Sequence, residues 1–206
     1  RQRQMCIRDR HILPHWTWPG REGEVTPVFV YTNYPTAELF INGKSYGKQS
    51  KNNSSLKNRY RLMWMDTKYE PGEVKVVAYD KNGKAVAEKV VRTAGKPHHI
   101  ELVSNRNELT ADGKDLAYVT VKVVDKDGNL CPADNRQINF SVKGTGKYRA
   151  AANGDPTNLE QFHLPKMHAF NGMLTAILQA GETAGEIVFT AKANGVKAGN
   201  IRIQTK

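Results

Sequence analysis

Ala37-Glu38-Leu39-Phe40-Ile41-Asn42-Gly43-Lys44-Ser45 decides the fold class. Leu39 and Ile41 alternate with Glu38 and Phe40 ahead of an Asn-Gly pair. The stretch therefore reads as a half-buried strand entering a tight hairpin, because Asn and Gly accept the positive φ such a turn demands. Outward from it the pattern repeats. Val25 to Thr32, Arg59 to Met65, Gly72 to Tyr79 and Ala85 to Arg92 are short runs rich in Val, Tyr and Phe, each bounded by Gly, Pro, Asn or Asp. Pro71-Gly72 is a turn that starts a strand in which Val74, Val76 and Ala78 share one face. Strands at this spacing predict a sandwich.

Ala94-Gly-Lys-Pro97 interrupts the pattern, and a fresh strand opens at His99 to Val103, which places a domain boundary there. The second half predicts strands at Leu116 to Val124, Arg136 to Val142, Gly172 to Gln179, Gly185 to Ala193 and Gly199 to Gln204. Asp80-Lys-Asn-Gly83 and Asp125-Lys-Asp-Gly128 punctuate the two halves with the same turn chemistry. No run shows helical periodicity long enough for a helix. The reading is an all-β protein of two tandem immunoglobulin-like β-sandwich domains, 11–94 and 95–206, each large enough to bury its own core.

The formal net charge of +11 implies less than its size suggests. It divides into +3 for residues 1–10, +5 for 11–94 and +3 for 95–206, with acids interleaved through both domains. That is the pattern of a solvated surface and not of a phosphate-binding stripe, so nucleic acid is not an expected partner. Basic residues concentrate at Lys44, Lys48, Lys51, Lys57, Arg59 and Arg61 among Asn and Ser, read as a loop and strand edge. The first ten residues, Arg1-Gln-Arg-Gln-Met-Cys-Ile-Arg-Asp-Arg10, fit no fold pattern. They are read as a non-native, adapter-derived segment and set aside, the alternative being a basic arm for nucleic acid. Cys131 is then the one remaining cysteine, and it can build neither a disulfide framework nor a multi-cysteine metal site. No apolar run approaches the roughly 20 residues of a membrane span, and no charged-then-apolar start with a cleavage site is visible.

Motifs that carry chemistry are few. Asp125-Lys-Asp127-Gly-Asn129 opens like a calcium loop, but Leu130 and Arg136 stand where an EF-hand needs Gly and Glu, so a hairpin turn is expected. Gly144-Thr-Gly-Lys147 lacks the spacing of a phosphate loop and reads as a glycine-rich connection. The six histidines, His11, His15, His98, His99, His163 and His168, show no metal-ligand spacing, and no Gly-x-Ser-x-Gly context marks a nucleophile. No cofactor and no metal are called for. Trp16 and Trp18 stand out, because aromatic faces pack on the apolar C–H face of a sugar, and Pro14, Pro19 and Gly20 make an irregular segment that presents them. Two residues apart, they lie on one side of the chain if it is extended.

The run His11-Ile-Leu-Pro-His-Trp-Thr-Trp18, then Val25 to Asn33 and the strand Ala37 to Ser45, resembles the segment that follows the catalytic barrel in bacterial beta-galactosidases of glycoside hydrolase family 2. Ala111 to Gly128 looks like the strand pair of bacterial Ig-like domains. Asn153-Gly-Asp-Pro156, Glu160, Phe162 and Ala169-Phe-Asn-Gly172 resemble the C-terminal Ig-like domain of the same enzymes. His168 departs from the Arg or Lys expected before Ala-Phe-Asn-Gly, which puts an ion pair with Asp155 in doubt.

The resemblance implies a non-catalytic C-terminal fragment of a retaining glycosidase that braces a barrel lying upstream and shapes its substrate rim. Its carboxylate pair, set about 5 to 5.5 Å apart, would lie in that barrel. Asn107-Glu108 copies the family's acid/base dipeptide but sits in an early sandwich segment and is read as a solvated loop. The resemblance makes His15, Trp16 and Trp18 the candidate site residues, touching substrate or docking against the barrel. It implies the barrel and carbohydrate as partners, and a periplasmic or secreted parent. The rival readings are a carbohydrate-binding module and an adhesin-like spacer.

Overall fold

The computed structural model describes residues 10–206. Residues 1–9, including Cys6, belong to the segment read as non-native and lie outside the described residues. Every regular element among the described residues is a strand, so the chain is all-β. It divides into two compact units, the first ending at Thr93 and the second spanning Ala94–Lys206.

The first unit contains β1 (Arg10–Leu13), β2 (Val28–Thr32), β3 (Thr36–Ile41), β4 (Lys44–Ser50), β5 (Arg61–Trp64), β6 (Glu73–Tyr79) and β7 (Ala85–Arg92). They form antiparallel sheets in the orders β1-β2-β5 and β4-β3-β6-β7. Alternation decides which side chains meet between them. β3 buries Ala37, Leu39 and Ile41, β6 buries Val74, Val76 and Ala78, and Leu39 lies opposite Val76 in the ladder. Val28, Val30, Leu62 and Trp64 come from the other sheet to close one core. Each such aliphatic side chain contributes about 1.5–3 kcal/mol by leaving water. The Asn-Gly hairpin is present, with φ 49° at Asn42 and 81° at Gly43. Asn42 also ties the turn down: its Oδ1 accepts from Glu73 N at 2.8 Å and its Nδ2 donates to the Pro71 carbonyl at 3.1 Å.

β4 is the second arm of this hairpin and the strand edge read for its lysines, with the loop following over residues 51–60. Lys44–Ser50 pairs with β3 through a bulge between Glu38 and Phe40. Its side chains are nearly all exposed, so no buried face imposed an alternating pattern on the sequence. Lys44 and Lys48 on this outer strand are the charges by which sheet edges resist pairing with other chains.

The second unit contains β8 (His99–Ser104), β9 (Glu108–Leu109), β10 (Leu116–Val124), β11 (Gln137–Gly144), β12 (Gly146–Ala152), β13 (Lys166–His168), β14 (Met173–Ala180), β15 (Gly185–Lys192) and β16 (Gly199–Thr205). The sheets run β12-β14-β10-β8 and β13-β11-β15-β16-β9. Val119, Val121, Leu174 and Leu178 on one sheet meet Ile138, Ile187 and Phe189 on the other. The Phe140 and Phe189 rings stack at 5.7 Å. Asn107 lies in an exposed bend and Glu108 opens the short strand β9, pairing at the surface with Lys206 at 2.6 Å, so the Asn107-Glu108 dipeptide is solvated as read, with Glu108 in a strand rather than a loop. Gly144-Thr-Gly-Lys147 is the corner at which the chain leaves β11 in one sheet and starts β12 in the other.

Candidate functional site

The Asp125 turn behaves as the hairpin reading requires. Asp125 Oδ1 accepts from Asp127 N and Asn129 N at 2.9 and 2.8 Å, and Oδ2 accepts from Gly95 N at 2.7 Å and Asn129 Nδ2 at 3.0 Å. Burial alone would raise this carboxyl, but the donors from Gly95, Asn129 and Asp127 outweigh it and bring the pKa down to about 2. With both oxygens so engaged, the carboxylate is a structural anchor. Among the described residues, no group of three or more His, Cys, Asp or Glu is arranged to hold a metal ion.

Between β1 and β2, residues 14–20 belong to no strand, so side chains two apart need not share a side, and Trp16 and Trp18 separate. Trp16 is only 1% exposed. Its ring meets Tyr69 edge-on at 5.3 Å, its Nε1 donates to the Glu70 carbonyl at 2.8 Å, and its own carbonyl accepts from Thr93 Oγ1 at 2.6 Å. The indole is used up inside its own unit and offers no free face to a sugar.

His15 and Trp18 stay together at the half-buried surface. Their rings stack at 4.0 Å, Trp18 Nε1 donates to the His15 carbonyl at 2.9 Å, and the Arg21 guanidinium lies 5.3 Å from the indole centroid. His15 Nδ1 accepts from Thr17 N at 3.3 Å. Burial lowers the imidazole pKa, which favours the neutral ring this acceptor role needs. The pair forms a rigid aromatic shelf.

A groove of mixed polar and apolar lining on the second unit was not assembled by sequence reasoning. It has a volume of about 530 Å³, and its walls include Asn135, Asn153, Asp155, Glu160, His168 and Phe170. Three separated segments supply them. Pairing of Gln137 with His168 in the β11–β13 ladder brings the turn before β11 beside the end of β13, and Asn153 Nδ2 donates to the His168 carbonyl at 3.0 Å to draw in the loop after β12.

That loop is held by its own side chains. Asp155 Oδ1 accepts from Thr157 N and Oγ1 at 2.9 and 2.8 Å, and Asn158 Oδ1 accepts from Glu160 N at 2.8 Å. His168 pairs with Glu160 and not with Asp155: Nδ1 stands 3.0 Å from Oε1, and His168 N donates to Oε2 at 3.1 Å. Burial pushes the Glu160 carboxyl up, but the backbone and ring donors of His168 outweigh it and hold the pKa below the usual carboxylate range. Asn153-Gly-Asp-Pro156, Glu160 and His168 were each visible in the sequence; Asn135 carried no signal, because its place in the groove depends on the ladder alone.

The described residues thus form two β-sandwich units, each with a surface feature made of aromatic or polar side chains. Residues 100–202 match the glycoside hydrolase family 2 C-terminal domain 5, and residues 23–87 match a domain of unknown function (DUF4982). The chain belongs to the C-terminal domains of glycoside hydrolase family 2. It is 41% identical over 95% of its length to a beta-galactosidase of Bacteroides ovatus, covering 22% of that protein. It is 35% identical over 71% of its length to a putative beta-glucuronidase of Formosa agariphila, covering 14%. A beta-glycosidase from Bacteroides vulgatus superposes with a TM-score of 0.86 at 31% identity, covering 95% of this chain and 24% of that one. The chain thus spans less than a quarter of each of these three relatives. Among the described residues, no helix is long and apolar enough to cross a membrane.

Proposed function

We propose that this chain is the non-catalytic C-terminal part of a retaining family 2 glycosidase, a beta-galactosidase, and that it braces the catalytic barrel and shapes its substrate rim. The observation that carries the reading is the 41% identity over 95% of the chain to a beta-galactosidase of which it covers 22%. The matches to beta-glucuronidases are lower, at 35% and 26% identity, and this difference in identity is what favours a galactoside substrate for the parent. The reaction would proceed by double displacement at a carboxylate pair contributed upstream. The parent would act in the periplasm or outside the cell, where polymeric glycosides are met.

The shelf of His15 and Trp18 is the part of the first unit suited to the seam. It lies just after β1, is stiffened by stacking, and keeps surface that a neighbouring domain can cover. Expressed alone, the chain should fold and release no nitrophenol from a nitrophenyl β-galactoside, and measurable turnover would overturn the reading. In the whole enzyme, Trp18→Ala separates the two roles of the shelf: a raised KM on an intact fold marks substrate contact, and a lowered unfolding midpoint marks docking.

A further inference from the structure

We propose that the groove on the second unit is an auxiliary site for a neutral hexose residue of a glycan, separate from any reactive centre. The choice of ligand class rests on the family 2 reading above; the case for a site rests on the groove itself. Its volume of about 530 Å³ falls within the range of small-molecule pockets. Its walls join the apolar residues Leu159, Ala169 and half-buried Phe170 to amide, carboxylate and imidazole side chains.

Local bonding determines which atoms remain for a ligand. Glu160 gives both oxygens to His168 and Asn158, and Asp155 gives Oδ1 to Thr157. Asn135 Oδ1 accepts from Asn171 N at 3.2 Å. Among the described residues, Asp155 Oδ2, Asn135 Nδ2 and His168 Nε2 have no hydrogen bond inside the protein. The set combines a fixed acceptor, a fixed donor and an imidazole nitrogen. A hydroxyl both donates and accepts, so neighbouring hydroxyls of a hexose satisfy such a set.

Other ligand classes fit less well. A hard cation wants six or more oxygens, and one free carboxylate oxygen falls far short. An anion, whether phosphate or the carboxylate of a uronic acid, meets the charge of Asp155 with no Lys or Arg among the groove residues to offset it. The groove should therefore prefer a galactoside to a glucuronide.

Titration of the ¹⁵N-labelled full chain with methyl β-D-galactopyranoside, up to about 20 mM to cover the millimolar Kd of a single-sugar contact, tests this by amide chemical shifts. Saturable shifts are expected at Asp155, Thr157, His168 and Phe170, with His15 and Trp18 unmoved and with methyl β-D-glucuronide at least about tenfold weaker, a difference of 1.4 kcal/mol. Asp155→Asn keeps an acceptor for Thr157 while removing the charge. It should weaken the galactoside and narrow the gap to the glucuronide. Shifts absent from the groove, shifts centred on Trp18, equal binding of the two sugars, or an Asp155→Asn variant with unchanged selectivity would each overturn the proposal. None of these results bears on turnover by the chain or on an upstream barrel, so the site can fail while the parent-enzyme reading stands.

Discussion

Trp16 and Asp125 show how one residue anchors each unit. Trp16→Ala removes a fully buried indole and its bond to Glu70, and should cost the first unit about 3–5 kcal/mol, against the 5–15 kcal/mol that holds a typical domain together. Trp18→Ala, at a half-buried ring, should cost under about 2 kcal/mol. Urea midpoints followed by tryptophan fluorescence rank the two, and equal losses would contradict the placement of Trp16 in the core. For Asp125 the expected signature is pH-dependent. Its folded pKa of about 2 lies below the unfolded value of 3.8, so the unfolded state binds more protons between these values. Its stabilisation is complete above about pH 5 and is lost as the pH falls through 4 towards 2, on the order of 2 kcal/mol in all. Wild type should therefore lose its advantage over Asp125→Ala across that window when unfolding is followed by circular dichroism; a constant gap would mean the carboxylate charge is not the stabilising feature.

Strands rich in β-branched residues were legible whether or not they bury a face, and strands poor in them gave less signal. Ala85–Arg92 and Leu116–Val124 fall at the bounds read from sequence, because β-branched runs flanked by turn residues leave little choice. β4 exposes almost every side chain, and Gly146–Ala152 is a Lys-, Arg- and Ala-bearing strand with a register shift between Tyr148 and Ala150. β4 presents no period of two and β12 carries it over only a few residues around its register shift, and both lie along a neighbour with a strong pattern that supplies the ladder. The corner between β11 and β12 has a stricter demand. Gly144 sits at φ 92°, and a Cβ there would overlap the Glu186 carbonyl oxygen that accepts from Thr145 N at 3.0 Å. Gly144→Ala combines left-handed strain with a backbone clash and should cost about 2–3 kcal/mol. Gly128→Ala meets open space at φ 82° and should cost about 1 kcal/mol. Thermal unfolding of the two variants checks the order; a reversal would show that the corner relaxes easily.

Across the whole molecule, the fold was more legible than the candidate sites because the two depend on different distances along the chain. Sandwich cores follow from alternation within single strands, which any short window displays. The groove depends on Asn135, Asn153 to Glu160 and His168 to Phe170 meeting, and no window contains all three segments; each alone reads as a turn. The His15–Trp18 shelf stood out as two tryptophans in one short stretch, yet the burial of Trp16 depends on Tyr69 and Glu70, more than fifty residues away. Each unit also owns a separate core, the first drawing on residues up to Val91 and the second beginning at Ala94. Residues 94–206 expressed alone should therefore unfold in one cooperative transition. All three tryptophans, Trp16, Trp18 and Trp64, lie in the first unit, so in the full chain indole fluorescence reports that unit alone while circular dichroism reports both. The isolated second unit, followed by circular dichroism, should keep a sigmoidal urea curve with a slope of about 1–3 kcal/mol/M, as befits a small domain. A shallow, non-cooperative curve would mean that its core, from Ile100 to Ile203, is not sufficient by itself.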